Sequence, residues 1–250
     1  MKVSSKEINN MENNEQGFFS LWSKALDLDS AKLFLNGNFP DDLLFNRVSA
    51  SYSERDYNGL VDEALTYFQK AKIRPTFFIA EHHRKLEQDL LKKSFKHVTS
   101  FNIMKLKKSV PFPDKIAEVS IADEENIAVW ILAYMKSFDI GESFKIEVSK
   151  RAKKCLENKD CILYTARVGG EPVGTSLTYI EANTAGFYCI GTIPKFRGRG
   201  IASQMLEIAI RDARKQSDLL CLQNLEIDNV KSFYEKRGFE TVFVKKVYQR

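Results

Sequence analysis

The chain has 250 residues, of which 44% are hydrophobic and 28% charged, and its net charge at pH 7 is +5. This is an ordinary globular composition, and the length suits one large domain or two small ones. The charge is modest, whereas nucleic-acid-binding proteins concentrate basic residues far more. No apolar run approaches the roughly 20 residues that span a bilayer. We therefore expect no nucleic-acid partner and no membrane partner.

Residues 1–16 are polar and lack the apolar core of a signal peptide, so they are predicted to form a flexible tail. The three histidines fall in a charged region and are expected at the surface. The cysteines show no C-x-x-C pair and have no histidine nearby, which predicts no metal site, no disulfide framework and a reducing, cytoplasmic location. They are Cys155, Cys161, Cys189 and Cys221.

An N-terminal domain is predicted over residues 17–110, with the element order β-α-β-α-β. Its first three elements are expected at 43–49 (strand), 55–72 (helix) and 76–79 (strand). Pro111 and Pro113 then mark residues 111–115 as a linker.

The C-terminal domain, residues 116–250, has clearer periodicities. Two β-rich runs joined by Gly169 and Gly170 predict an antiparallel hairpin, and a strand, loop, helix and strand around residue 200 predict a right-handed crossover between parallel strands. The fold class is therefore α/β (α+β), with a mixed, mostly antiparallel sheet flanked by helices. The predicted elements are strand 116–120, helix 122–138, helix 142–158, strands 161–168, 173–181 and 185–192, helix 201–216, strand 219–225, helix 229–238 and strand 239–249.

The loop "KFRGRGIAS" (Lys195–Ser203) joins a strand to the amphipathic helix at 201–216. Gly198 and Gly200 permit unusual backbone angles and close approach of a ligand. Free N–H groups at the helix start attract phosphate. The same sequence is also consistent with a tight turn whose arginines are solvated and bind no ligand.

Two motifs together carry a family resemblance. "RGRGIA" (Arg197–Ala202) fits R-x-x-G-x-A, and "FYEKRGF" follows at Phe233–Phe239. At this spacing they resemble the acyl-CoA-binding and C-terminal motifs of the GCN5-related N-acetyltransferase (GNAT) superfamily, and the resemblance covers residues 116–250. It implies a GNAT-type fold, acetyl-CoA as cofactor, and transfer of an acetyl group to a primary amine of a small molecule or peptide by direct attack in a ternary complex.

The resemblance also implies site residues. The loop amides would hold the pyrophosphate, the two arginines would add charge, and the strand end before the loop would pair with the pantetheine arm. The implied cofactor-binding residues are Gly191, Thr192, Ile193, Arg197, Gly198, Arg199, Gly200, Ile201, Ala202 and Ser203.

Tyr234 matches the family's general acid, a role that suits a phenol with an ordinary pKa of about 10. Ile227 stands where relatives often have Asn, and Asn224 or Asn229 could substitute for it. The general base stays open between Glu181, Glu226 and a chain of water molecules.

The N-terminal half repeats the pattern of the C-terminal half without its site. "LLKKSFKHV" (residues 90–98) matches "YEKRGFETV" (residues 234–242) at an offset of 144 residues. At that offset Leu90 replaces Tyr234, and "SERDYN" (residues 53–58), with two acids and no glycine, replaces "RGRGIA". We expect two tandem GNAT-like units, the first incomplete and non-catalytic. The alternative function is an acyl-CoA-binding sensor or interaction protein, and the protein is expected to be a monomer or homodimer.

Overall fold

The structure, a computed structural model, describes residues 3–53, 56–108 and 116–250. The expected linker at 111–115 therefore lies outside the described residues. The elements in chain order are α1 (Ser5–Trp22), β1 (Lys24–Leu28), β2 (Ala31–Leu35), β3 (Arg47–Ala50), α2 (Leu60–Ala71), β4 (Thr76–Ala80), α3 (Arg84–Lys92), β5 (Lys96–Leu106), β6 (Glu118–Ile121), α4 (Ile127–Ser137), α5 (Lys145–Glu157), β7 (Cys161–Val168), β8 (Glu171–Glu181), β9 (Thr184–Thr192), α6 (Ile201–Ala213), β10 (Leu219–Leu225), α7 (Lys231–Glu235) and β11 (Phe239–Gln249).

The chain divides into two compact units that do not follow the predicted boundary. Unit 1 comprises Met1–Met104, Gln223–Tyr234 and Glu240–Arg250, and unit 2 comprises Lys105–Leu222 and Glu235–Phe239. The difference arises because the last strand, β11, pairs antiparallel with β4 of the N-terminal half, from Lys245↔Ala80 to Gln249↔Thr76.

The expected flexible tail is instead the start of α1, which begins at Ser5. A capping box starts the helix: the Ser4 hydroxyl accepts from the Glu7 N–H, and the Glu7 carboxylate accepts from the Ser4 N–H. The prediction was wrong because acidic residues of this segment are buried in the protein and do not face solvent. Glu12 and Glu15 are buried, at 4% and 1% exposure, and form ion pairs.

The buried ion pairs connect α1 to two strands of unit 1. Arg47 Nη2 lies 2.6 Å from Glu15 Oε1, and Lys245 Nζ lies 2.8 Å from Glu12 Oε1 and 3.6 Å from Glu15 Oε2. The Lys245 ammonium also donates to Ser49 Oγ at 3.1 Å. Two cations and two carboxylates thus neutralise one another in the core, a condition for burying them.

The strands of unit 1 lie in the order β1-β2-β3-β4-β11-β5. The β1–β2 hairpin was not predicted, and the strand expected at 43–49 covers only Arg47–Ala50. Residues 43–46 form a turn because Asp42 Oδ1 accepts from the N–H groups of Leu44 and Phe45. β3 and β4 pair parallel, Val48↔Phe77.

The strands of unit 2 lie in the order β10-β9-β8-β7-β6. The β7–β8 hairpin is confirmed, with Gly169 and Gly170 at φ of 57° and 80° in its turn. β9 and β10 are parallel, as predicted, and the other pairs are antiparallel. This mixed sheet with flanking helices confirms the predicted fold class. Under α6, Met205 joins a buried cluster with Ala166 and Val173.

No helix in the described part of the chain is both long and apolar enough to cross a membrane. The four cysteines are free thiols, and burial raises the pKa of Cys189 well above its usual value. His83 differs from the expected surface position, because only 4% of it is exposed.

Candidate active site

β9 is an inner strand of unit 2 with an irregular second half. The register with β10 runs from Thr184↔Leu219 to Phe187↔Leu222, and beyond Phe187 β9 is paired with β8. A register shift opposite β8 accompanies a left-handed φ of 52° at Cys189, which marks a bulge. The bulge separates the start of β9, which pairs with β10, from its end, which leads into the glycine loop. Sequence patterns did not indicate the bulge at Cys189.

Gly191 is required by packing at this strand end. A Cβ on Gly191 would lie 2.7 Å from Ser137 Cβ and 2.8 Å from Phe138 Cε2. The end of α4 therefore rests directly on β9 just after the bulge. Gly174, on the neighbouring strand, is similarly restricted, since its Cβ would lie 2.9 Å from the Gly191 carbonyl oxygen.

The glycine loop between β9 and α6 has the geometry that its sequence predicts. Pro194–Phe196 form a short 3-10 turn, and Gly198 and Gly200 take φ values of 78° and 84°. Gly200 is the N-cap of α6 and supplies no side-chain cap. The first N–H groups of the helix, those of Ile201, Ala202 and Ser203, thus lie where a helix favours an anion. No heavy atom lies within 4 Å of the position of a Gly198 Cβ, so there is space beside the loop.

The arginines of the loop bind protein atoms. Arg197 Nε donates to the Thr192 carbonyl at 3.1 Å, and its Nη2 donates to the Ser137 carbonyl at 2.9 Å. Arg199 Nη2 lies 3.4 Å from the Lys195 carbonyl, and its guanidinium stacks 5.4 Å from the Phe196 ring centre.

A third arginine, which sequence reasoning missed, contacts the first turn of α6. Arg237 Nε donates to Ser203 Oγ at 2.9 Å, and Arg237 Nη2 contacts the same oxygen. Ser203 is almost fully buried, at 1% exposure. Ser203 lies in the loop Lys195–Ser203 and Arg237 in the motif Phe233–Phe239, but only the fold reveals the pair, because the two residues are 34 positions apart in sequence.

Gln204 adjoins this turn and ties α6 to the segment before β6. Its Oε1 accepts from the N–H groups of Ile116 and Ala117, at 2.8 and 2.9 Å, and its Nε2 donates to the Ala117 carbonyl at 2.8 Å. The start of α6 is therefore held by side-chain bonds that the sequence did not predict.

Tyr234 belongs to unit 1, whereas the ten predicted cofactor residues all belong to unit 2. Tyr234 is 8% exposed, its N–H donates to the Val230 carbonyl at 3.4 Å, and its ring contacts Phe233 edge to face at 5.1 Å. The side chain is thus held within α7.

The two asparagines considered as substitutes have other contacts within unit 1. Asn224 is buried and interacts with Asn102 Nδ2, at 3.3 Å, and with the Met104 sulfur, at 3.2 Å. Asn229 takes a left-handed φ of 53° in the turn before α7. Ile227 is 72% exposed, and its N–H donates to Thr99 Oγ1 at 3.3 Å.

The candidate bases differ in environment. Glu181 accepts a hydrogen bond from the Tyr179 hydroxyl at 3.3 Å, and burial together with this carboxylate raises the pKa of Tyr179 above its usual range. Glu226 is exposed in a 3-10 turn after β10. Neither geometry distinguishes one of them as the base.

Comparison with known proteins identifies a family match in the same part of the chain. Residues 159–241 match the family model described as an acetyltransferase (GNAT) domain. Among solved structures, the chain is similar to a GCN5-related N-acetyltransferase from Kribbella flavida, at 14% identity and a TM-score of 0.71, covering 100% of this chain and 96% of that one.

Two further structures are similar over most of the chain. One is a conserved protein of unknown function from Staphylococcus epidermidis, with 14% identity, a TM-score of 0.66, and coverage of 90% and 92% of the two chains. The other is a GNAT-family acetyltransferase from Colwellia psychrerythraea, with 12% identity, a TM-score of 0.60, and coverage of 100% and 98%. At these identities the likeness shows the fold.

Proposed function

The chain carries a GNAT acetyltransferase domain at residues 159–241, and from this premise we propose that it is an acetyl-CoA-dependent N-acetyltransferase acting on a primary amine. The observation that carries the proposal lies in unit 2. There, the stretch of β9 after the bulge at Cys189 leads into a glycine loop that opens a helix without a side-chain cap. One element suits an extended polar arm and the other a pyrophosphate.

The residues present fit this cofactor. The left-handed angles at Gly198 and Gly200 form a turn directly before the uncapped start of α6, and the open space beside Gly198 would leave room for phosphate oxygens. Arg199, which is exposed, and Arg237, at the first turn of α6, would supply positive charge. Gly191–Ile193 would hold the pantetheine arm through their backbone.

Acetyl-CoA, when bound, supplies an activated thioester. Transfer would form a bond between the acceptor nitrogen and the acetyl carbon, release CoA as the thiol, and require removal of a proton from the amine. Backbone N–H groups of β9 after the bulge would stabilise the negative charge on the carbonyl oxygen. Tyr234 would donate its proton to the leaving sulfur as general acid. The proton on the amine would leave through Glu181, Glu226 or water.

We propose further that the N-terminal half is a GNAT-like unit without a cofactor site. In unit 1 the ends of the parallel strands β3 and β4 are followed by a compact cluster. Nε2 of His82 and Nε2 of His83 lie 2.8 and 3.2 Å from the Tyr52 carbonyl, and the Tyr57 hydroxyl lies 3.3 Å from His83 Nε2. At the offset of 144 residues β3 corresponds to the end of β9, which leads into the glycine loop, and β4 corresponds to β10.

Calorimetric titration with CoA, followed by a screen of amines and peptides for release of CoA thiol, tests the proposal. We expect one CoA per chain, no binding by Gly200→Glu, because a carboxylate replaces the turn glycine at the anion position, and slow turnover with intact CoA binding by Tyr234→Phe. CoA binding without turnover on any amine would favour the acyl-CoA sensor. Absence of CoA binding by the wild-type protein would refute both functions.

A further inference from the structure

Arg197 connects two elements of unit 2 through a single side chain. Its Nε bonds the carbonyl of Thr192, the last residue of β9, and its Nη2 bonds the carbonyl of Ser137, the last residue of α4. The distances, 3.1 and 2.9 Å, are those of ordinary hydrogen bonds. The guanidinium therefore fixes the end of a helix against the end of the strand proposed to hold the pantetheine arm.

The helix end is a favourable place for this cation. The last carbonyls of a helix lack partners within the helix and carry the negative end of its dipole. The C-cap N–H of Phe138 bonds the Tyr134 carbonyl, and the Ser137 carbonyl receives Arg197. The positive charge thus has a protein partner before any phosphate is bound.

Phe138 is the side chain whose position depends on this contact. It follows Ser137 directly, its ring centre lies 5.0 Å from that of Tyr134 with the two ring planes tilted by 48°, and 45% of it is exposed. Only the missing Cβ of Gly191 allows the ring this close to β9. The ring therefore stands beside the stretch of β9 that follows the bulge.

We propose that Arg197 is a positioning residue that holds Phe138 beside the acyl-pantetheine track, and that its side chain is not the main pyrophosphate ligand. This assignment rests on the proposed function for the identity of the track. Phe138 then forms one wall of the acyl site, and Arg199 provides the phosphate-directed charge of the loop.

Comparison of CoA with pantetheine, which lacks the pyrophosphate, separates the two roles. Arg197→Met should weaken binding of CoA and pantetheine by the same factor, on the order of threefold for a lost cation at a helix C-terminus. The matched control, Arg199→Met, should weaken CoA alone. Weaker CoA binding with unchanged pantetheine binding in Arg197→Met would overturn the proposal, because it would make Arg197 a phosphate ligand.

A second measurement needs no ligand. With 4-fluorophenylalanine incorporated at position 138, the single ¹⁹F resonance should shift in Arg197→Met and gain a larger solvent isotope effect, and should stay in place in Arg199→Met. Arg197→Lys, which reaches only one carbonyl, should fall between. An unmoved resonance in a folded Arg197→Met protein would refute the positioning role. If the wild-type protein binds neither CoA nor pantetheine, the proposed function is refuted. The ¹⁹F resonance still tests whether Arg197 positions Phe138.

Discussion

Gly198 and Gly238 have similar backbone angles in different surroundings. Both lie in the left-handed region, at φ of 78° and 84°. A Cβ at Gly198 would meet no heavy atom within 4 Å, whereas a Cβ at Gly238 would lie 2.1 Å from the Lys108 carbonyl oxygen. The first glycine is needed for its backbone angle alone, and the second for its angle and its close contact.

The two alanine variants should therefore differ in stability. Gly198→Ala should lower the free energy of unfolding by roughly 1 kcal/mol, the strain of a left-handed non-glycine residue. Gly238→Ala adds a steric clash with backbone and should lower it by roughly 3 kcal/mol or more. Urea denaturation followed by circular dichroism measures both, and equal losses would contradict this distinction.

Gly200 has a counterpart at the start of a helix in unit 1. In unit 1 the helix α2 also begins at a left-handed glycine, Gly59 at φ 77°, just as α6 begins at Gly200. The offset of 144 residues had aligned "RGRGIA" with a stretch that stops one residue before Gly59. An N-cap glycine is therefore a shared feature of both halves, and Gly198 is the glycine that distinguishes the proposed cofactor loop.

At the scale of elements, α1 depends on buried charges. Lys245→Met should leave the carboxylates of Glu12 and Glu15 without one of their two cations, and should lower the free energy of unfolding by about 3–5 kcal/mol. The matched control is Lys246→Met, a change at the next residue. The Lys246 side chain is 24% exposed, and its ammonium lies 2.7 Å from Glu87 Oε1. It should cost about 1 kcal/mol or less. Similar losses in the two variants would show that the buried cluster contributes little.

The pH dependence of that difference has a defined sign. Burial by itself lowers the pKa of Lys245, but Glu12 and Glu15 outweigh it, so the net pKa is raised above the ordinary value of 10.5. A raised lysine pKa stabilises the folded state fully below the unfolded pKa, and this stabilisation is lost as pH rises through the folded pKa. The contribution of the Lys245 charge should thus be constant near neutral pH and decrease only above about pH 10.5. A decrease between pH 6 and 9 would contradict the assignment.

At the scale of the whole molecule, the last strand determines which fragments can fold. Residues 240–249 of β11 belong to unit 1, where they lie between β4 and β5. Val247 and Tyr248 are buried there, at 0% and 3% exposure. A C-terminal fragment that contains residues 159–241, which match the GNAT family model, therefore carries a strand whose partners are in the other fragment.

We expect residues 116–250 expressed alone to aggregate, because β11 would present an unpaired apolar strand. Co-expression with residues 1–108 should restore a soluble complex with one CoA site, measured by size-exclusion chromatography and CoA titration. Removing residues 240–250 from the isolated fragment should reduce aggregation. A soluble, cooperatively folded 116–250 fragment that binds CoA would contradict the dependence on unit 1.

The sequence by itself determined most elements of the C-terminal half and the backbone geometry of one loop. The Gly169–Gly170 hairpin, the parallel β9–β10 pair and the left-handed glycines before α6 follow from local rules, because turn residues and apolar periodicity act over a few residues. These rules also predicted the fold class.

The tertiary structure decided what depends on contacts between distant residues. It placed β11 beside β4, buried the polar face of α1 against Arg47 and Lys245, and brought Arg237 to Ser203. It also directed Arg197 to two backbone carbonyls, where the sequence indicated a free cation beside phosphate. The physical reason is that a charge pattern states which partners a side chain can bind, whereas only the folded chain determines which partner lies within reach.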